Sequence, residues 1–186
     1  QFVDQVVGHR LDEVTSLNNL GTVAWHLGDY EEAREYHQQS LAICRDIDDR
    51  EGEATSLNNL GEVARDLGEY EDAQEYLQKS LVTFRELGHR QGEASSLNNL
   101  GEVARQLDEY EEAREYYQQS LAICRDINDR EREATILNNL GRVAQHLDEY
   151  DAAQEYYQQS LAIFRDLGHP NAEVVESNME QLPLTD

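Results

Sequence analysis

The sequence predicts an all-α fold, a solenoid of helix-turn-helix units stacked in chain order. Three observations predict it. The string Leu-Asn-Asn-Leu-Gly recurs at Leu17 to Gly21, Leu57 to Gly61, Leu97 to Gly101 and Leu137 to Gly141, each 40 residues after the last. A fixed period of this length marks a repeat architecture. Within each unit the apolar residues fall at helical spacing. The prolines of this 186-residue chain are Pro170 and Pro183 alone, so residues 1–169 lack the side chain that most reliably breaks a helix.

The elements follow in order. Gly8-His9-Arg10 matches Gly88-His89-Arg90, so residues 1–10 are expected to be the tail of a preceding, truncated repeat, with 1–7 the end of an earlier second helix and 8–10 a turn. Because the chain also opens on Gln1 rather than Met, it is expected to be cut from a longer protein. Four gapless units follow at 11–50, 51–90, 91–130 and 131–170. The second and third share 25 of 40 positions, and 31–51 differs from 111–131 only at His37/Tyr117 and Asp48/Asn128. In unit 51–90, Leu57, Leu60, Val63, Ala64 and Leu67 form the buried stripe of a first helix. Gly68 supplies the positive φ that ends it. A second helix starts near Glu69 and carries Tyr70, Ala73, Tyr76, Leu77, Ser80, Leu81 and Phe84 inward, and Gly88 closes it. Asp108 and Asp148 replace Gly28 and Gly68 at the first turn, where they cost slightly more. Residues 171–186 read as a capping helix and tail. Ser177 and Glu180 stand where core leucines would sit, Val174, Asn178, Met179 and Leu182 leave a narrow stripe, and Pro183 ends the helix. A solenoid needs such a polar-faced end.

This pattern resembles the tetratricopeptide repeat (TPR) over the whole of 11–170. In unit 51–90 the family's signature falls on Leu57, Leu60, Gly61, Gly68, Tyr70, Ala73, Leu77 and Ser80. Ala64 departs from the larger aromatic of the common repeat, and Ser80 from its usual Ala. The unit has 40 residues rather than about 34, without the closing proline of the shorter form. Longer units of this kind are similar to those of kinesin light chains, of Pins-type adaptors and of repeat-built sensor regions in bacterial signalling NTPases. The Leu-Asn-Asn-Leu string is similar to the kinesin light chain version. The resemblance implies a right-handed α-solenoid whose first helices line a concave groove.

Composition limits the partners. Lys and Arg number 15 against 39 Asp and Glu, a formal net charge of −24. Nucleic acid and anionic lipid both need basic side chains to displace counterions, so neither is expected. No apolar run reaches the length of a bilayer-spanning helix, and no signal peptide is visible. Cys44 and Cys124 hold one repeat position, filled by Phe84 and Phe164 in the other units, and read as buried, reduced core thiols too far apart to bond. A cytoplasmic setting is the expectation.

Catalytic and metal chemistry find little footing. Ser40, Ser80, Ser120 and Ser160 repeat at one packing position, where a small side chain lets helices approach. His9, His26, His37, His89, His146 and His169 form no metal-ligand motif, and His9, His89 and His169 are expected to be solvated turn residues. Asp46 to Arg50 lacks the glycine of a calcium loop and carries Arg50 at a ligand position, so it reads as a frayed acidic helix end. No enzyme, cofactor or metal is expected.

The functional signal lies on the first helices. At about 100° per residue, Thr55, Asn58, Asn59, Glu62, Arg65 and Asp66 face away from the core stripe. Stacking then makes two ladders, Asn18, Asn58, Asn98 and Asn138 beside Asn19, Asn59, Asn99 and Asn139. A carboxamide donates and accepts, so such ladders suit the backbone of an extended peptide. Groove asparagines act this way in the related adaptors and kinesin light chains, which is what the resemblance implies here. Bonds to neighbouring helices or water would also explain the repetition. Arg65, Arg105 and Arg142 balance Glu62, Glu102 and Asp66 on this face and could clamp ligand carboxylates. However, Glu62/Arg65 and Glu102/Arg105 sit at i, i+3, where intrahelical pairs form. Only Arg142 lacks such a partner. Trp25 takes the place of Arg65 in the first unit, either as an exposed anchor or half-buried against a preceding repeat.

The expected function is therefore a non-enzymatic protein-interaction module, a scaffold or adaptor holding an extended peptide in the groove. Two alternatives stand beside it. One is a structural module that self-associates through its open N-terminal end. The other is the sensor or regulatory region of a larger signalling NTPase.

Overall fold

Residues 2–183 are described in a computed structural model, with side chains from Gly8 onward. The helices are α1 (Phe2–Leu27), α2 (Tyr30–Asp46), α3 (Arg50–Asp66), α4 (Tyr70–Leu87), α5 (Arg90–Gln106), α6 (Tyr110–Asp126), α7 (Arg130–His146), α8 (Tyr150–Leu167) and α9 (Asn171–Glu180). No strand occurs among the described residues. The fold is all-α, with successive helix-turn-helix repeats of the solenoid class. The chain divides into two compact units, Gln1–Asn99 and Leu100–Asp186, with the division inside α5.

In the first unit α2 packs on α1, α3 on α2 and α4 on α3, and α1 also meets α3. In the second unit α7 packs on α6, α8 on α7 and α9 on α8. The expected stripes are the ones buried. Leu57, Leu60, Val63 and Ala64 of α3 and Ala73, Leu77, Ser80, Leu81 and Phe84 of α4 are inside, while Leu67, Tyr70 and Tyr76 are half-buried.

Every tight turn places one residue in the left-handed region, where glycine is at ease and Asp or Asn is tolerated. Gly28 and Gly68 have φ of 83° and 78°, and Asp108 and Asp148, at the same repeat position, have 61° and 59°. The aspartates gain local bonds: Tyr110 and Tyr150 donate their hydroxyls to Asp108 and Asp148 at 2.6 and 2.5 Å. The backbone closes each turn in the same way, as where Glu69 N–H donates to Ala64 O at 2.8 Å. That bond satisfies a carbonyl the helix end would otherwise orphan.

The glycine of the Leu-Asn-Asn-Leu-Gly string is a packing device. A Cβ built on Gly61 would lie 2.5 Å from Leu77 Cγ, and one on Gly141 would lie 2.5 Å from Tyr157 Cε1. The second helix therefore rests a buried side chain directly on the backbone of the first. The repeated serines bond the second helix of a repeat to the first helix of its own repeat and to that of the next. Ser80 donates to Ala54 O at 2.8 Å and meets Ser96 Oγ at 3.0 Å, Ser160 donates to Ala134 O at 2.7 Å, and Ser40 meets Ser56 at 2.9 Å. Serine in place of the common repeat's Ala thus adds a bond at a closely packed site.

Three expectations are corrected. First, Gly8, His9 and Arg10 form no turn, because α1 runs unbroken from Phe2 to Leu27. At the corresponding Gly88 turn, the Phe84 ring lies where a Gly92 Cβ would be, 2.5 Å away. The sequence puts Asp4 and Asp12 at those two places, and the helix continues through Gly8. Second, α9 buries Val175 rather than Val174, which is 54% exposed; Asn178, Met179 and Leu182 are half-buried. Third, Asp46 to Arg50 is not a frayed end: Asp49 Oδ1 accepts from Gly52 N–H at 3.0 Å and caps α3. His89 is likewise a cap, its Nδ1 accepting from Gly92 N–H at 2.9 Å.

Both cysteines are free and buried. Burial raises the pKa of Cys44 and pushes Cys124 up to about 11. Among the described residues no helix is long and apolar enough to cross a membrane, and no group of three His, Cys, Asp or Glu could hold a metal ion.

Candidate peptide-binding face

The two asparagine ladders divide on folding. In the first unit Asn58 and Asn99 are only 8% and 7% exposed, and they join α3 to α5. Asn58 donates to Glu62 Oε1 at 3.0 Å and accepts from Ser96 Oγ at 3.2 Å and Asn99 Nδ2 at 3.3 Å. Asn99 also donates to Glu62 Oε1 at 2.6 Å, and Asn98 donates to Asn99 Oδ1 at 3.4 Å. In the second unit Asn139 is 9% exposed, and Asn138 accepts from Asn178 of the capping helix at 2.9 Å. Asn58, Asn99 and Asn139 are thus buried within the helix packing rather than displayed on an open face. Asn19 is exposed, while Asn18, Asn59, Asn98 and Asn138 are half-buried.

The charged positions separate too. Glu102 and Arg105 form the expected i, i+3 pair, and Tyr117 donates to Glu102 at 2.9 Å. Burial pushes the Glu102 pKa up, but Arg105, Tyr117 and Arg142 outweigh it and hold the carboxyl below its usual range. Glu62 holds the same repeat position with the opposite outcome. Burial raises its pKa, and the amides of Asn99 and Asn58 and the charge of Arg65 only partly offset that. Two repeat differences accompany this: Asp66 stands where the next repeats have Gln106 and His146, and Leu77, with no hydroxyl to donate, stands where Tyr117 bonds Glu102. Arg65 donates to Asp66 Oδ1 at 2.8 Å, so the ion pair expected with Glu62 gives way to one with Asp66.

Trp25 is half-buried against α3. Its indole N–H donates to Asp66 Oδ2 at 2.7 Å. Cover for it comes from the following repeat. Beside it lies a cavity of about 270 Å³ lined by Thr22, Trp25, His26, His37, Asn59 and Glu62. His37 belongs to no metal-ligand motif. It is buried, its Nδ1 is 3.2 Å from Asn18 Oδ1, and desolvation lowers its pKa to about 4. The signal that finds it is repeat position, since Leu77, Tyr117 and Tyr157 mark the same place as inward-facing.

The second unit has a larger cavity, about 570 Å³, lined by Arg142, Gln145, His146, Tyr150, Asn178 and Gln181. Arg142 makes no hydrogen bond or ion pair among the described residues, although its charge acts on Glu102. His146 stacks on Tyr110 at 4.6 Å.

No curated protein matches the chain in sequence, whereas solved structures match its fold. BtubC (BKLC) from P. vanneervenii aligns with a TM-score of 0.76 and 19% identity, covering 96% of this chain and 82% of that one. The nearly identical TPR-like repeats of a kinesin light chain candidate from Podosopora anserina align at 0.72 and 20%, covering 89% and 83%. Aspartyl phosphate phosphatase F from Bacillus subtilis aligns at 0.83 and 18%, covering 92% of this chain but 44% of its own, so this chain spans less than half its length. At such identities the likeness is one of fold. Residues 12–86 and 92–166 both match the tetratricopeptide repeat family, most of the chain, and the chain belongs to that family.

Proposed function

We propose that this chain is a protein-interaction module whose first-helix faces hold an extended peptide in a concave groove, without catalysis of its own. Two side chains carry the reading. Asn59 and Arg142 are half-buried, each lines a cavity, and neither makes a hydrogen bond among the described residues. Asn59 offers a donor and an acceptor to a peptide backbone, and Arg142 offers a bidentate fork to a carboxylate. Asn18, Asn19, Asn98 and Asn138 extend the polar face. Asn58, Asn99 and Asn139 support it from within, Arg105 is committed to Glu102, and Arg65 to Asp66. A Rap protein that shares the fold at a TM-score of 0.80 and 15% identity forms a complex with competence and sporulation factor, in keeping with a small protein or peptide partner. A cytoplasmic adaptor or scaffold fits this reading.

The test is a peptide array probed with the native chain and with the Asn59→Ala, Arg142→Ala double variant, both confirmed helical by circular dichroism. Peptides held by the native chain and released by the variant support capture on this face. Equal retention by both sinks it.

A second reading is favoured by the apolar stripe on α1. Leu20 and Val23 are 48% and 55% exposed, whereas Leu60 and Val63, at the same repeat position, are 2% and 1% exposed. Self-association through that stripe would bury it. Sedimentation equilibrium would then show a mass that rises with concentration and that Leu20→Glu holds at the monomer; a constant mass for the native chain would end this reading.

A further inference from the structure

The cavity beside Trp25 has a chemistry of its own. Its walls come from α1, α2 and α3 of the first unit, and no lysine or arginine lines it. Three of its lining side chains, Glu62, Asn59 and His37, offer hydrogen-bond acceptors. Glu62 receives both of its amide bonds on Oε1, which leaves Oε2 without a partner among the described residues. Asn59 makes no bond at all there. His37 is neutral above about pH 4; with Nδ1–H donating to Asn18 Oδ1, Nε2 carries a lone pair. Trp25 adds an aromatic face, fixed by its bond to Asp66.

We infer that this cavity is a binding pocket for the basic side chain of a peptide partner, arginine or lysine. The inference deepens the peptide-capture reading and rests on it, naming the chemistry of one anchor. A guanidinium carries five donors and no acceptor, which complements a carboxylate oxygen, a carboxamide oxygen and an imidazole lone pair. Trp is the ring that holds a cation best. The volume of about 270 Å³ is just below the range of small-molecule sites and suits one side-chain head. Arg65, three residues along α3 from Glu62, pairs with Asp66 at 2.8 Å. The net charge of −24 draws basic ligands toward the surface.

Trp25 is the sole tryptophan of the chain and reports directly on the pocket. Its emission is followed while the full chain is titrated with N-acetyl-arginine amide, with N-acetyl-citrulline amide, and with N-acetyl-glutamate amide, at constant ionic strength. The arginine probe is expected to give a saturable change. Citrulline has nearly the same shape without the charge and should bind about tenfold more weakly, the usual gap between a charge-assisted and a neutral hydrogen bond. The glutamate probe should give none. Glu62→Gln keeps an acceptor for Asn58 and Asn99, so it should fold normally and bind the arginine probe about tenfold more weakly. Asn59→Ala should weaken it by about threefold.

Citrulline binding as tightly as arginine, an unchanged Glu62→Gln, or no saturable response would overturn the pocket. The two readings fail separately. A saturable arginine response with no peptide held on the array leaves the pocket standing and ends peptide capture. Peptides held on the array without enrichment in Arg or Lys, and no arginine response, end the pocket alone.

Discussion

Glycine 141 offers the sharpest check on how the repeats pack. Replacing it with Ala adds a Cβ that would sit 2.5, 2.6 and 2.9 Å from Cε1, Cδ1 and Cζ of Tyr157. A phenol ring cannot fold out of the way as a flexible chain end could. Tyr157 is fully buried, and its hydroxyl donates to Gln145 at 3.0 Å. Overpacking of this kind costs about 1–3 kcal/mol, and a shift that breaks the Tyr157 bond adds about 1 kcal/mol. Ala regains about 1 kcal/mol through helix propensity. The net loss is about 2 kcal/mol, a fall in Tm of about 4–8 °C for a chain of this size. The same substitution at Gly8 should do the opposite. Gly8 lies inside α1 with nothing within 4 Å of its would-be Cβ, so Gly8→Ala should stabilise by about 0.5–1 kcal/mol. Thermal melts followed at 222 nm, repeated in urea, read both variants. A Gly141→Ala chain as stable as the native would refute the close-approach account, and a destabilised Gly8→Ala would refute the continuous α1.

Two further predictions concern buried polar groups. Burial lowers the pKa of His37 in the folded chain to about 4, from an ordinary 6.5. The unfolded chain therefore binds more protons in that window, so the stability tied to neutral His37 is complete above about pH 6.5 and is lost as pH falls toward 4. His37→Leu, which copies the residue at position 77, should flatten the dependence of Tm on pH across that interval, and an unchanged slope would contradict the assignment. Ser80→Ala removes bonds to Ala54 and Ser96 and should cost about 1 kcal/mol, read as a lower urea midpoint at an unchanged m-value; a rise in the midpoint would show that Ser80 is only a small filler.

Helix number, order and core stripes from residue 11 onward were legible because period and amphipathic spacing repeat four times. What escaped the sequence turns on differences of one residue. Asn58 and Asn59 are about 100° apart on a helix, and the setting of α5 against α3 decides which is covered. The same step separates Val174 from Val175 in α9, where no repeat remains to fix the register. Glu62 and Glu102 hold the same repeat position, yet Asp66 takes the bond of Arg65, and Leu77 stands where Tyr117 donates to Glu102. That competition is visible in the sequence only after Trp25 and Asp66 are placed on neighbouring first helices, 41 positions apart. The burial of His37 is legible in repeat position, shared with Leu77, Tyr117 and Tyr157, and not in any ligand motif. The turn expected at Gly8 is absent because α1 continues through it, although Gly8-His9-Arg10 repeats the residues of the Gly88 turn.

Whether ligands meet this protein on the first-helix face is tested most directly by nuclear magnetic resonance of the labelled full chain with a peptide retained on the array. The account predicts shifts in the Asn59 side-chain amide, the Trp25 indole N–H and the Arg142 Nε–H, with little change along the outer faces of α4 and α8. Shifts confined to those second helices, with Asn59, Trp25 and Arg142 unmoved, would contradict it.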